Sequence, residues 1–100
     1  MIVRIWEGQT RLEHSEVYAK IIEERDIPDY KKTKGFVKLS FLKRDKGGVT
    51  YFRLLTYWTD LATIANFTGP NLEEAKYYED DRQYLIDFPG TVSHYSVFAE

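Results

Sequence analysis

Two residues in this sequence have side chains suited to acid–base and anion chemistry, Arg4 and His94. Both lie in segments that alternate in the way typical of β-strands, IVRIWE and TVSHYSVFA. A histidine has a pKa near neutrality, so His94 can accept a proton or bind a phenol. An arginine facing a sheet surface needs an anion or a carbonyl oxygen, because an unpaired buried charge is very costly. His94 can equally be a satisfied core histidine, and Arg4 can bind either a structural carboxylate or a ligand.

Aromatic residues are the main compositional excess, at 16% of the chain, with eight Tyr, six Phe and two Trp. Such large rings line a core, an interface or a pocket. Trp58 ends a predicted strand, where core packing is the more frequent role of a tryptophan. Tyr77 and Tyr78 are adjacent in a predicted helix, so only one of them can face the core and the other is available to a cleft.

The composition excludes several kinds of chemistry. The chain has no cysteine, which removes disulfides, thiolate metal sites, iron–sulfur clusters and a cysteine nucleophile. Its two histidines, His14 and His94, stand in no metal-ligand spacing, so no metal site is predicted. The acidic residues between 73 and 81 and the lysines between 31 and 34 are predicted to be solvated surface.

Length and charge indicate one domain of ordinary composition. The chain has 100 residues, of which 43% are hydrophobic, and this suffices for one domain, 1–100, with one core. A net charge of -2 and a pI near 5.7 give no attraction for nucleic acid, so no such partner is expected. Because no run of about 18 apolar residues and no signal-peptide pattern is present, we expect no membrane association and a cytoplasmic location.

The hydrophobic pattern predicts alternating strands and helices along the chain. The first half contains a strand over Ile2–Glu7, a helix that starts at a Thr10/Glu13 capping box and ends by Arg25 before Pro28, and a strand over Phe36–Arg44. The second half contains a glycine turn at 45–48, a strand over Val49–Trp58, a short helix around Leu61–Ala65, a helix from Leu72 to about Asp81, and a strand over Thr91–Ala99.

This order of elements is the split βαβ pattern of a ferredoxin-like α+β fold, with an antiparallel sheet and both helices on one face. The strand Val49–Trp58 is apolar on both sides, and Arg53 is its only charged residue. Helices on one face leave the other face bare, and a monomer tolerates only a few hundred Å² of exposed apolar patch. We therefore expect a homodimer whose sheets meet face to face.

Four segments resemble small proteins of the antibiotic biosynthesis monooxygenase family, within the dimeric α+β barrel superfamily. They are IVRIWEG, IPDYKKTKGFVKLSFLKR, TYWTDLATIANFTGPNLEEAKYYEDD and VSHYSVF, and together they cover nearly the whole chain. The resemblance implies a barrel built by two ferredoxin-like subunits. This agrees with the homodimer expected from the two-sided strand.

The resemblance also implies a cofactor-independent monooxygenase, which uses neither metal nor flavin. Its substrate would be a small aromatic or hydrophobic molecule held between the sheet and the helices, and the deprotonated substrate ring would supply the electrons for dioxygen. In that reading His94 takes the phenolic proton and Arg4 stabilises the resulting anion. The rings that would surround the substrate are Trp6, Trp58, Phe67 and Tyr78.

Two other functions are compatible with the same family. Some members degrade haem with a helix histidine as ligand, and residues 59–82 of this chain contain no histidine, so no haem is expected. The other is a non-catalytic small-molecule-binding or dimerisation module with a small or absent pocket. It predicts that Arg4 pairs with a carboxylate such as Asp81 or Asp87, and that His94 is hydrogen-bonded and shut away from solvent.

Overall fold

A four-stranded antiparallel sheet forms the framework of the molecule. The computed structural model describes residues 1–100, which is every residue of the chain. The strands are β1 (Ile2–Arg11), β2 (Phe36–Lys46), β3 (Val49–Trp58) and β4 (Ser93–Ser96), in the order β2-β3-β1-β4. The helices are α1 (Ser15–Lys31) and α2 (Ala65–Thr68), with short 3-10 helices at Leu12–His14, Ala62–Ile64 and Glu79–Gln83. This order confirms the predicted ferredoxin-like α+β fold.

The core lies between α1 and one face of the sheet. Alternate residues of β3 point into it and are buried: Thr50, Phe52, Leu54, Thr56 and Trp58. One core cluster joins Phe52 and Leu54 to Tyr18 of α1. A second cluster joins Trp58 to Tyr30, near the end of α1. No helix of the structure is long and apolar enough to cross a bilayer.

No helix covers the opposite side of the sheet, which we call the open face. Val3 lies between Tyr57 and Tyr95 in the strand register, and Ile5 lies opposite Leu55, so these five side chains share that face. Ile5, Leu55 and Tyr57 are half-buried, and Tyr95 is 58% exposed. Strand β3 thus carries apolar residues on both sides, and no helix lies over those on the open face.

Helix α1 is longer than predicted and contains Pro28, at which the sequence pattern predicted a stop. That prediction was wrong. A proline removes one helical hydrogen bond and disfavours helix in the preceding residue. Continuing the helix places Tyr30 in the second core cluster, where it stacks on Phe67 with ring centroids 4.5 Å apart. Burial of this large ring offsets the local cost of the proline.

The predicted capping box at Thr10 and Glu13 is absent, because β1 continues through both Thr10 and Arg11. Thr10 pairs with Thr50 of β3, and its hydroxyl donates to the carbonyl oxygen of Arg11. Thr10, which the local pattern predicted as a helix cap, is thus part of a strand pair instead. Helix α1 begins only at Ser15.

The predicted helix from Leu72 to Asp81 is also wrong, because residues 69–78 are irregular chain with a turn at Leu72–Glu73, and a 3-10 helix begins only at Glu79. The backbone of this segment bonds to residues before β4 instead: the N–H of Ala75 donates to Gly90 O, and the N–H of Val92 donates to Glu73 O. Strand β4 is correspondingly shorter than predicted. Tyr77 and Tyr78 therefore lie on irregular chain rather than on a helix turn.

Gly35 should be far less tolerant of substitution than Gly47, although both have positive φ, at 96° and 61°. A Cβ on Gly35 would collide with the side chain of Thr63, whereas a Cβ on Gly47 meets nothing within 4 Å. Gly47→Ala is expected to cost about 1 kcal/mol through backbone strain alone. Gly35→Ala is expected to cost at least about 2 kcal/mol, because the collision adds to the strain. Urea unfolding of the two variants measures the difference, and equal costs would show that Thr63 moves aside freely.

Candidate active site

Arg4 and His94 are direct cross-strand neighbours. They face each other in the register of β1 and β4, so their side chains leave the sheet on the same side. This side is the core face, and Arg4 is only 3% exposed there. His94 is half-buried at the edge of the sheet. The two residues share one sheet face, which the proposed roles of His94 as a base and Arg4 as an anion-binding group require.

Arg4 is a buried cation without a carboxylate partner. Its Nη2 donates to the backbone carbonyl oxygen of Glu74 at 2.9 Å, and its buried Nε has no hydrogen-bond partner. Burial lowers the pKa of Arg4, yet a guanidinium remains charged in proteins. The alternative in which Arg4 pairs with Asp81 or Asp87 is therefore wrong. A buried positive charge with a free donor is suited to bind an anion.

His94 is a neutral imidazole next to this charge. Burial and the positive charge of Arg4 both lower the pKa of His94, which the carboxylate of Glu73 only partly offsets. Its Nε2 is buried and meets no hydrogen-bond partner in the protein. The alternative prediction of a hydrogen-bonded histidine is thus wrong for that atom. A neutral imidazole with a free ring nitrogen has the form that a general base requires.

The depressed pKa of His94 should make stability depend on pH. Between the folded pKa and the unfolded value near 6.5, the unfolded chain binds more protons, so this histidine destabilises the fold as pH falls through 6.5. We expect the wild-type protein to lose more stability than His94→Gln when pH drops from 7.5 to 5. Urea unfolding at both pH values measures this, and identical losses would contradict the shift. His14 is common to both proteins and cancels in the comparison.

A small cavity lies between the sheet, α1 and segment 69–78. Its volume is about 20 Å³, close to the space of one water and far below the ~300 Å³ typical of small-molecule sites. Its lining includes Arg4 and three of the four predicted substrate-binding residues, Trp6, Phe67 and Tyr78. His94 and Trp58 do not line it. Four of the six predicted site residues thus line one cavity, and in this conformation the cavity has room for little more than a water.

Trp58 occupies a core position behind this cavity. It is 0% exposed, and its Nε1 donates to Thr56 Oγ1 at 2.9 Å. Its ring packs edge-on against Tyr30 and lies 6.2 Å from Phe67, centroid to centroid. Trp58 therefore supports two rings of the site rather than forming its surface.

Tyr78 and Lys76 close the cavity from segment 69–78. The hydroxyl of Tyr78 donates to Asp29 of α1 at 2.6 Å, and the Arg25 guanidinium stacks over its ring at 4.1 Å. Lys76 Nζ lies 4.5 Å from the centroid of Phe67. The segment that lacks regular structure is thus fastened to α1 by side chains.

A buried ionic network beneath this closure was missed from sequence. Asp81 Oδ1 accepts from the Tyr18 hydroxyl and from Arg25 Nη2, each at 2.9 Å, and Asp81 Oδ2 accepts from the backbone N–H of Tyr78 at 2.7 Å. Arg25 Nε also donates to Asp26 at 2.7 Å. Burial and the negative charge of Asp81 raise the pKa of Tyr18, and burial raises that of Asp26. The prediction that the acidic run is solvated is wrong for Asp81, whose neighbours in the run gave no sign of its burial.

Comparison with known proteins supports the fold. No protein-family model and no curated protein matches the chain. Among solved structures, a Bacillus cereus protein provisionally named an antibiotic biosynthesis monooxygenase has a TM-score of 0.65 and 16% identity, covering 100% of this chain and 94% of its own. A mutant of MhuD, solved with two manganese protoporphyrin IX molecules bound per active site, has a TM-score of 0.63 and 15% identity, covering 100% and 97%. The chain has the antibiotic biosynthesis monooxygenase fold.

The cavity of this chain does not fit a metalloporphyrin of the kind that is bound in MhuD. In the closed conformation the space between sheet and helices is about 20 Å³, and the stacked rings of Tyr30 and Phe67 line it. Residues 59–82, which border this space, contain no histidine. No group of three or more His, Cys, Asp or Glu side chains is arranged to hold a metal ion.

Proposed function

We propose that this protein binds a small anionic aromatic molecule at Arg4 and acts on it as a cofactor-independent monooxygenase. The observation that carries the proposal is the buried Arg4 guanidinium, which has a free Nε and no carboxylate partner. A fold that retains a buried charge with only a backbone carbonyl oxygen as its hydrogen-bond partner incurs a cost, which a bound anion would offset. The phenolate form of an aromatic alcohol is an anion of suitable size and shape.

The neighbouring groups support the chemistry expected of such a site. The neutral His94 would take the phenolic proton, and Arg4 would hold the phenolate oxygen. Trp6, Phe67 and Tyr78 would pack against the ring, with Trp58 behind them. Dioxygen is the oxidant: one oxygen atom becomes the new carbonyl of the quinone product, and the other leaves as water with the two hydrogens lost by the phenol.

Binding requires the site to open, and segment 69–78 is the part that can move. The segment makes few backbone bonds to the rest of the chain. Lys76 and Tyr78 contact Phe67 and α1 through their side chains, Ala75 and Tyr77 pack on the core, and Tyr77 also bonds with Trp6 and Pro89. Moving this segment away from α1 and Phe67 would expose Arg4, and it would break the hydrogen bonds that Arg4 and Trp6 of β1 donate to Glu74 O and Tyr77.

The proposal includes a homodimer that covers the open face. Its support is the apolar surface of Ile5, Leu55, Tyr57 and Tyr95, which no helix of the chain covers. Sedimentation velocity over a range of concentrations measures the assembly directly. A protein that stays monomeric at all concentrations would contradict this part of the proposal.

The small cavity is the one feature that favours the non-catalytic module. A pocket of about 20 Å³ is what that alternative predicted. Its two other predictions, on Arg4 and His94, are not met, because neither the Arg4 Nε nor the His94 Nε2 has a partner. The monooxygenase proposal accounts for both of these atoms, and so it is preferred.

Replacing Arg4 with methionine should abolish ligand binding while preserving the fold. Methionine fills similar space and removes the charge, and removing an unpaired buried charge is neutral or stabilising. We expect Arg4→Met to bind 1-naphthol at least tenfold more weakly, with undiminished stability, as measured by titration and urea unfolding. His94→Gln should consume no oxygen in an oxygen-electrode assay, because it lacks the base that takes the phenolic proton. Equal binding by wild type and Arg4→Met would overturn the proposal.

A further inference from the structure

We infer that Phe98 of one protomer docks into a groove on the open face of a second copy of the chain. The inference rests on the homodimer proposed above and identifies a residue that joins the two copies. It concerns the open face, whereas Arg4 lies on the core face, and it does not depend on any ligand.

Phe98 is a fully exposed aromatic ring on a segment that is fastened on both sides. The ring is 99% exposed. Just before it, the N–H of Val97 donates to Met1 O at 3.0 Å, and just after it, Lys38 Nζ donates to Glu100 Oε2 at 3.1 Å. Residues 97–100 are held in place while the ring of Phe98 remains in water. Exposure of this apolar surface is unfavourable, and docking on another molecule would bury it.

The fastened segment presents Phe98 at one end of the open face. Met1 precedes β1, and Lys38 lies on β2, so residues 97–100 cross the end of the sheet past β3. Lys38 Nζ lies 4.7 Å from the ring centroid of Tyr57, an open-face residue. The segment that carries Phe98 is therefore tied to the open face through Lys38.

A groove of about 790 Å³ lies at the opposite end of the sheet. Its open-face lining includes Leu42 and Tyr51, which are both exposed, together with Arg44 and Arg53. Arg53 is paired with Glu7, whereas Arg44 has no acidic partner. The groove thus offers apolar surface and a free guanidinium, and an aromatic ring is favourable next to both.

Two-fold symmetry brings the two features together. When two open faces meet with their strands antiparallel, the Phe98 end of each copy lies over the groove end of the other. Both contacts are then identical and the assembly closes at two subunits. The groove lining carries more basic than acidic residues, with Lys43, Arg44, Lys46 and Arg53 against Glu7 and Asp87. The acidic residue near Phe98, Glu100, is bonded to Lys38 of its own chain. Phe98 cannot reach the groove of its own chain. Its segment is bonded to Lys38, and Lys38 is separated from Leu42, the nearer part of the groove on β2, by roughly 13 Å of strand.

Crosslinking between two single-cysteine variants tests the contact, because the natural chain has no cysteine. Ala99→Cys protein is mixed with Lys46→Cys protein, whose cysteine lies at the groove, and treated with a short bis-maleimide crosslinker. We expect a mixed dimer containing one chain of each kind. Ala99→Cys mixed with Lys20→Cys, on the outer surface of α1, is the control and should give none.

Removal of the Phe98 ring measures how much it contributes to dimerisation. Phe98→Ala should raise the dimer Kd at least tenfold in sedimentation velocity, because two-fold symmetry makes the contact of this large ring twice. It should leave the unfolding of the monomer unchanged, since the ring is exposed there. Leu61→Ala, an exposed apolar residue off the open face, is the matched control and should leave the Kd unchanged.

The outcomes separate the two proposals. A dimer whose Kd does not respond to Phe98→Ala, or a dimer without the mixed crosslink, overturns the docking of Phe98 and leaves the homodimer standing. A protein that is monomeric at every concentration overturns both. Ligand binding at Arg4 is measured independently and is not decided by any of these results.

Discussion

Asp81→Asn is expected to lower the free energy of unfolding by about 3 kcal/mol, because it breaks a buried ion pair on one side only. Asp81 is 2% exposed and accepts hydrogen bonds from Tyr18, Arg25 and the backbone of Tyr78. An asparagine of the same shape keeps one acceptor oxygen but loses the charge that Arg25 faces. Urea unfolding at pH 7 measures the loss.

The neighbouring Asp80 provides the control for this prediction. It lies in the same 3-10 helix and is exposed, with no side-chain hydrogen bond or ion pair in the structure. Asp80→Asn should change stability by no more than about 0.5 kcal/mol. If both variants behave alike, the Asp81 network carries no net stability and the closure of segment 69–78 must come from packing alone.

The same network has a consequence for ligand binding. Asp81 fixes the backbone N–H of Tyr78, and Tyr78 in turn closes the cavity over Arg4. A variant that loosens this attachment shifts the site toward its open form, and a ligand that needs the open form then binds more readily. Stability and binding are therefore expected to change in opposite directions in this part of the molecule.

The parts of the fold that follow from local patterns were predictable from sequence. Alternation in β1 and β3 is a property of neighbouring residues, so it places Arg4 with Trp6 and separates Phe52 from Tyr51 without knowledge of the rest of the chain. The shared face of Arg4 and His94 follows from the same rule, combined with the order of the elements. The two glycines at 47 and 48 have positive φ, as the predicted hairpin turn requires.

The parts that depend on distant residues were not predictable. Pro28 lies inside α1, and the burial of Tyr30 against Phe67 compensates for it, a contact between residues 37 positions apart. Segment 69–78 has a helix-like pattern, but its backbone groups bond to residues 90 and 92. The small cavity over Arg4 is likewise a result of packing, which residue types alone do not specify.

Substitution of Trp58 is the second change that we expect to have a large effect on stability. It also tests whether this ring only supports the site or contacts the ligand. Trp58→Ala should cost about 3 to 5 kcal/mol, which is most of the stability of a small domain. Trp58→Phe keeps an aromatic ring, so it should cost roughly 2 kcal/mol or less and leave a folded protein that can be assayed.

Binding of 1-naphthol by the Trp58→Phe protein then decides the role of this residue. Because Trp58 lies behind the cavity and Phe67 lines it, we expect Trp58→Phe to bind like wild type and Phe67→Leu to bind several-fold more weakly. Both substitutions remove part of a ring from the same cluster, so a general loosening of the core would affect them alike. A large loss of binding in Trp58→Phe alone would show that the tryptophan reaches the ligand when segment 69–78 opens. The core position of Trp58 would then belong only to the closed conformation.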